Sequence, residues 1–231
     1  MKNKKKLTMG LSLALVGVLG IGATLAYLTD ETGTLTNKFT FSEKGININL
    51  DEAEVDENNK ALKNGSRILE GGTQEYKNII PNMIIDKDPT VTVNHKSLNS
   101  HVFVSVTNTN TKLTIGASDG QGNFVEGVND LAWKEVAPSD YGLEAKENTK
   151  YYVYSGPDYA VDPETGDKFT VIGSIEFNEV KVLPDIFTHV KVADDVKEDV
   201  EFSDIVIKAA AVQADSVTDA EAAKTALEML I

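Results

Sequence analysis

Apolar residues in this chain recur at every second position in short runs, and clusters of Gly, Asn, Asp and Pro separate the runs. Successive side chains of a strand point to opposite faces, so a period of two describes a sheet with one buried and one wet face. Ile46, Ile48 and Leu50 alternate with Asn47 and Asn49. Val102, Val104 and Val106 alternate with Phe103, Ser105 and Thr107, and residues 187–192 alternate again. Tyr151-Tyr152-Val153-Tyr154 is a run of strong strand formers. Many short strands divided by turn signals predict an all-β sandwich or barrel. Further strands are expected over residues 75–80, ended by Pro81-Asn82, and after Pro89, whose missing N–H costs least at a strand start. Residues 114–127 predict a hairpin that turns at Ser118-Asp119-Gly120-Gln121-Gly122-Asn123. Residues 51–72 and 137–149 are expected to be mainly loop.

The last expected strand, residues 204–213, has a centre of Ala209, Ala210 and Ala211. Alanine is a weak strand former, so these positions are expected to face something bulky or close. Thr218-Asp219-Ala220-Glu221 then reads as a capping box, with Thr218 as N-cap and Glu221 three residues on. A short helix of strong formers is expected to follow, giving a C-terminal element over residues 218–230. Trp133, the only tryptophan, sits in Leu131-Ala132-Trp133-Lys134 and is expected to anchor the core.

The N-terminus follows a different pattern. Lys2, Lys4, Lys5 and Lys6 precede an apolar run over residues 7–22, and Ala23-Thr24-Leu25-Ala26 is a small-residue exit. This is the layout of a secretory signal peptide. The competing reading is a single membrane anchor, against which the length of the run argues. Cleavage is expected after Ala26, with Thr24 at −3 and Tyr27 as the new N-terminus. The chain then divides into a signal peptide (1–26), an N-terminal segment (27–41) and a sandwich domain (42–231). In the segment, Leu35, Phe39 and Phe41 lie on one face together with Asn37.

The formal charge is −14, and residues 1–26 hold four lysines and no acidic residue, so their removal leaves −18. That surface argues against nucleic acid and anionic membranes as partners, which need a basic footprint. Contact with a membrane is expected only before cleavage. There is no cysteine, which removes disulfides, thiol catalysis and thiolate metal sites. Leu183-Pro184-Asp185-Ile186-Phe187 lacks the Thr-Gly step and following apolar tail of a wall-sorting signal, so the exported chain is expected to be released or held by other proteins.

Little in the spacing selects an active site. Of the three histidines, His95 falls in an expected turn, while His101 and His189 fall at strand starts, and no H-E-x-x-H sets two zinc ligands on one helix face. All three read as solvated strand-edge residues rather than a ligand set. No G-x-S-x-G is present, and the acidic residues are abundant without the placement that would mark a catalytic pair. No catalytic residue, metal or cofactor is therefore assigned. Calcium is the one cation considered. Asp119-Gly120-Gln121-Gly122-Asn123 and residues 162–167 put oxygen ligands in tight turns, but neither has EF-hand spacing. The same residues supply the backbone angles of ordinary turns.

Several stretches together carry a family resemblance. Ala26-Tyr27-Leu28-Thr29-Asp30, then Asn37-Lys38-Phe39-Thr40, then Gly45-Ile46-Asn47-Ile48-Asn49-Leu50 resemble, in order and spacing, the export region of the TasA/camelysin group. Lys87-Asp88-Pro89-Thr90-Val91, the strand at His101-Val102-Phe103-Val104, the Trp133, tyrosine and Phe187 strands and the Ala-rich tail extend it. Asn82 stands where the group carries Gly, and His101 where its strand begins with an aromatic residue. The resemblance implies a jelly-roll-like sandwich, release by a dedicated SipW-type signal peptidase, and a Gram-positive biofilm-matrix protein. Its partners would be copies of itself and other matrix proteins. Fibres of that group are thought to grow when the segment freed by cleavage adds as a strand to the next subunit, which here makes Leu35, Asn37, Phe39 and Phe41 the candidate assembly face. The rival classes are a camelysin-like surface metallopeptidase and a monomeric adhesin or binding module.

Overall fold

The computed structural model describes residues 29–32, 45–69, 71–119, 123–156, 169–197, 200–215 and 217–231. Within them the alternating runs form three sheets whose strand ladders are all antiparallel. The first has the order β1 (Thr29–Thr32), β13 (Ile205–Gln213), β6 (Ser100–Asn108), β10 (Thr149–Tyr154), β9 (Trp133–Val136). The second is β11 (Lys181–Val182), β5 (Thr90–Val93), β2 (Ile48–Ala53), β3 (Arg67–Leu69). The third is β4 (Ile84–Asp86), β12 (His189–Val192), β7 (Leu113–Ser118), β8 (Phe124–Glu126). An α-helix near the C-terminus, α1 (Asp219–Leu230), packs on the strands of an all-β sandwich.

Period two sorts the first sheet into two buried faces. Val102, Val104 and Val106 of β6, Ala209 and Ala211 of β13, and Tyr152 and Tyr154 of β10 enter a core that includes residues of the other two sheets. The alternate residues, Phe103, Tyr151, Val153, Ala210 and Val212, meet α1 through Ala222, Ala223, Ala226, Leu227 and Leu230. The small Ala210 thus lies where a helix approaches the sheet. The capping box forms as its sequence requires: the Glu221 N–H donates to Thr218 Oγ1 at 3.2 Å, and the Thr218 N–H donates to Glu221 Oε2 at 2.9 Å. Trp133 is 1% exposed, donates its indole N–H to Pro184 O at 3.0 Å and meets the Tyr154 ring edge-on at 5.5 Å.

Two expectations are corrected. Residues 75–80 form no strand. Asn59, 1% exposed with φ of 58°, takes the place of a ladder: its Nδ2–H donates to Lys77 O at 2.6 Å and its Oδ1 accepts from the Lys77 N–H at 3.0 Å. Asn78, at φ of 53°, also breaks the extended geometry. The strand expected at residues 46–50 begins at Ile48 and runs on to Ala53, into the stretch expected to be loop.

The hairpin of β7 and β8 forms as expected, and the Asp119 carboxylate closes it by accepting from the Asn123 N–H at 3.0 Å and from its Nδ2–H at 2.7 Å. Gly116 of β7 lies against the facing strand. A Cβ there would come within 2.4 Å of both the Phe124 ring and the Val125 carbonyl oxygen. Gly116→Ala is therefore expected to destabilise the fold by about 1–3 kcal/mol through overpacking. Urea unfolding checks it, and an unchanged midpoint would contradict the close approach.

Candidate functional site

An antiparallel strand has two edges, and among the described residues β13 is paired along its whole length on only one of them. On one side β6 pairs with it from Ile205 to Gln213. Asn110 prolongs that ladder, donating from Nδ2 to Ser203 O at 2.8 Å and accepting the Ser203 N–H at 2.7 Å. On the other side β1 covers only Ala209 to Val212. Among the described residues no strand pairs with residues 205–208 on that side. An open row of backbone N–H and C=O groups is a template for another strand.

Beside this edge lies a groove of about 590 Å³. Leu50, Ile85, Leu113 and Val190 supply its apolar wall from the second and third sheets, and Phe202, Ile205 and Ile207 line it from the β13 side. Leu50, Leu113, Phe202, Ile205 and Ile207 are only partly buried, although they pack against the main core. The sequence placed Ile205 and Ile207 on a strand but carried no local sign of the void, which exists only where three sheets meet.

One corner of the groove is polar. Glu52 and Lys87 form an ion pair there, with Lys87 9% exposed. The Lys87 ammonium lies 5.6 Å from the centre of the Tyr76 ring. The Tyr76 hydroxyl is buried with no hydrogen-bond partner among the described residues. Burial first, then the carboxylates of Glu52, Asp88 and Asp86, pushes its pKa far above the ordinary tyrosine value. Next to this corner Arg67 gathers β2, β3 and the start of β5. It pairs with Asp51, donates from Nη1 to Asp88 Oδ2 at 2.9 Å, and donates from Nη2 to Thr90 Oγ1 at 2.8 Å. Lys87-Asp88-Pro89-Thr90, read in the sequence as a strand start and as part of a resemblance, is thus an ionic hub that fixes the groove wall.

Asp185 sits at the far side of that hub, where the Thr90 hydroxyl donates to its Oδ1 at 2.8 Å. Burial holds its carboxyl above the ordinary aspartate value, with Asp88 and Asp51 adding to the effect and the Thr90 bond and Arg67 opposing it. The folded chain therefore binds this proton more tightly than the unfolded one. Its contribution to stability grows as pH falls through the raised folded pKa toward the ordinary value of about 3.9. Asp185→Asn is expected to raise stability at neutral pH and to remove that part of the acid-side gain. Urea unfolding at about pH 7 and about pH 4 reads both effects; an equal change in stability on substitution at both values would contradict it.

The residues singled out in the sequence fall as follows. Ala26, Tyr27, Leu35, Asn37, Phe39 and Phe41 lie outside the described residues, as do residues 162–167 and the centre of the turn at 119–123. Of the N-terminal segment, Thr29–Thr32 is described and pairs with β13. His95 lies in a turn, with its ring edge-on to Phe177 at 6.0 Å. His189 begins β12, with Nε2 3.7 Å from Asp86 Oδ1. The reading of His101 as a solvated edge residue is corrected: it is 1% exposed on central strand β6, covered on the helix side of the sheet, with Nε2 3.3 Å from Asp219 Oδ1 at the start of α1. Among the described residues no group of three or more His, Asp or Glu is arranged to hold a metal ion. No family model, curated protein or solved structure matches the chain.

Proposed function

We propose that this chain is a secreted structural protein of an extracellular matrix that assembles into fibres by strand addition. After cleavage at Ala26–Tyr27 by a SipW-type peptidase, residues 27–41 of one copy, including the Thr29–Thr32 strand that pairs with β13 of its own chain, exchange onto the β13 edge and groove of the next. The observation that carries this reading is the β13 edge at residues 205–208, which no strand pairs among the described residues, running beside an apolar groove of about 590 Å³. Backbone bonds to the edge supply affinity, and alternate side chains entering the groove supply specificity. Leu35, Phe39 and Phe41 are the apolar side chains available for it, and a head-to-tail contact of this kind propagates instead of closing.

The test is negative-stain microscopy of the protein released by cells, beside a variant with a charge in the groove wall, Leu113→Glu. Fibres are expected from the parent and not from the variant, whose circular dichroism should be retained. Fibres from both would remove the groove from the contact. A casein-cleavage assay with metal analysis of the same preparation tests the rival peptidase class.

A further inference from the structure

Asn64 is the one asparagine of the chain that a glycine follows. It lies in a turn at residues 62–65, within the connection from β2 to β3. That connection is held by the Leu62 N–H donating to Glu54 O at 2.8 Å and the Glu54 N–H donating to Ser66 O at 2.9 Å. Asn64 and Gly65 are both exposed. Gly65 has φ of 73°, which glycine adopts without strain, and a Cβ there would meet nothing within 4 Å. The Ser66 N–H donates to Asn64 Oδ1 at 3.0 Å. This bond closes a ring of atoms that contains the Gly65 nitrogen, so the side-chain carbonyl is folded back along the main chain with a donor on its oxygen.

We propose that Asn64 is a site of spontaneous covalent ageing, where the Gly65 nitrogen attacks the Asn64 side chain and converts it to aspartate and isoaspartate. Water is the one co-reactant. Base removes the Gly65 N–H proton, and the nitrogen bonds to Asn64 Cγ. The Ser66 N–H faces the oxygen on which negative charge develops. The Cγ–Nδ2 bond then breaks and ammonia leaves. The succinimide that remains adds water and opens at either carbonyl. Opening at the side-chain carbonyl gives aspartate; opening at the main-chain carbonyl gives isoaspartate, whose backbone runs through an extra carbon. One bond opposes the attack: the Gly65 N–H donates to Leu62 O at 3.2 Å, and giving up a net hydrogen bond slows a step by about tenfold or less. Asn99, followed by the small Ser100, is the protected contrast. Its Oδ1 accepts from the Ser174 N–H at 2.7 Å and its Nδ2 donates to Asp215 Oδ1 at 3.0 Å. Ser100 is buried, and its N–H donates to Ile172 O at 2.9 Å. Isoaspartate at position 64 lengthens the chain just ahead of Arg67, which pairs with Asp51 and Asp88. The site therefore loosens the hairpin that carries the ionic hub, whether or not copies assemble.

The test incubates the purified, folded protein in mildly alkaline buffer and maps its peptides by mass spectrometry, with enzymatic methylation to mark isoaspartate. Both isomers are expected at Asn64, at least about tenfold ahead of product at Asn99. The rate should rise about tenfold per pH unit, because the deprotonated amide is the nucleophile. It should stay within about tenfold of the rate in urea, the cost of the Leu62 bond. Asn64→Gln should keep its circular dichroism and lose the product. The isoaspartyl fraction, separable by its added negative charge, should exchange the amides of residues 67–69 faster than the parent. Suppression by the fold of about a hundredfold or more, aspartate without isoaspartate, or isoaspartate that persists in Asn64→Gln would overturn the assignment. Unchanged exchange in the isoaspartyl fraction would overturn the effect on the hairpin.

Discussion

Trp133→Ala is expected to lower folding stability by about 3–5 kcal/mol, the range for deleting a large buried aromatic side chain. Trp133 is 1% exposed, and its loss also leaves Pro184 O without the indole donor 3.0 Å away. A domain of this kind is stable by only about 5–15 kcal/mol, so the loss removes a large share of the total and should shift the unfolding midpoint strongly downward. Circular dichroism in urea measures it, since the variant has no tryptophan to report by fluorescence. Trp133→Phe keeps a ring against Tyr154 and should recover more than half of the loss. A change below about 1 kcal/mol for the alanine variant would contradict the anchoring role, because surface substitutions stay within about half of that.

Phe39→Asp is expected to abolish fibre growth while leaving the monomer folded. Burying a Phe side chain contributes about 1.5–3 kcal/mol, and a carboxylate carried into an apolar groove adds a desolvation cost. Together they exceed about 3 kcal/mol, more than a hundredfold in the equilibrium of each contact. Light scattering and negative-stain microscopy follow assembly, and circular dichroism follows the monomer. An unfolded Phe39→Asp monomer would place Phe39 in the subunit's own core and contradict the donor role.

Much of the fold was legible because local chemistry and tertiary structure agree. Alternation at Val102, Val104 and Val106 became β6, the turn cluster after Ser118 closed a hairpin, and Thr218 with Glu221 capped a helix that begins at Asp219. Residues 75–80 misled because Tyr76 and Ile79 are apolar enough for a strand, yet a side chain distant in sequence, Asn59, holds that backbone. His101 misled for a related reason. Its strand alternates as if one face were wet, and α1, more than a hundred residues later, covers that face together with Phe169.

Of the proposed contact, the donor half rests on the sequence alone: Leu35, Asn37, Phe39 and Phe41 follow a period that can be read along the chain and lie outside the described residues. The acceptor has no such period. Leu50, Leu113, Val190 and Ile207 come from four strands in three sheets, and what unites them is an unfilled volume. The phase of β1 on β13 is likewise a property of pairing, invisible in either strand alone.

The chain has no cysteine, so single introduced thiols report contacts without background. One population carries Leu35→Cys, Asn37→Cys, Phe39→Cys or Phe41→Cys singly, and a second carries Ile207→Cys in the groove; they are mixed, allowed to assemble and mildly oxidised. Disulfides need Cα atoms within about 4.4–6.8 Å, which directly opposed strand residues satisfy. Strand addition between copies predicts a covalent dimer containing one chain of each kind, formed with the fibres and absent from unassembled protein. Fibres that grow without that dimer, or a bond that forms only inside a chain carrying both thiols, would contradict the account.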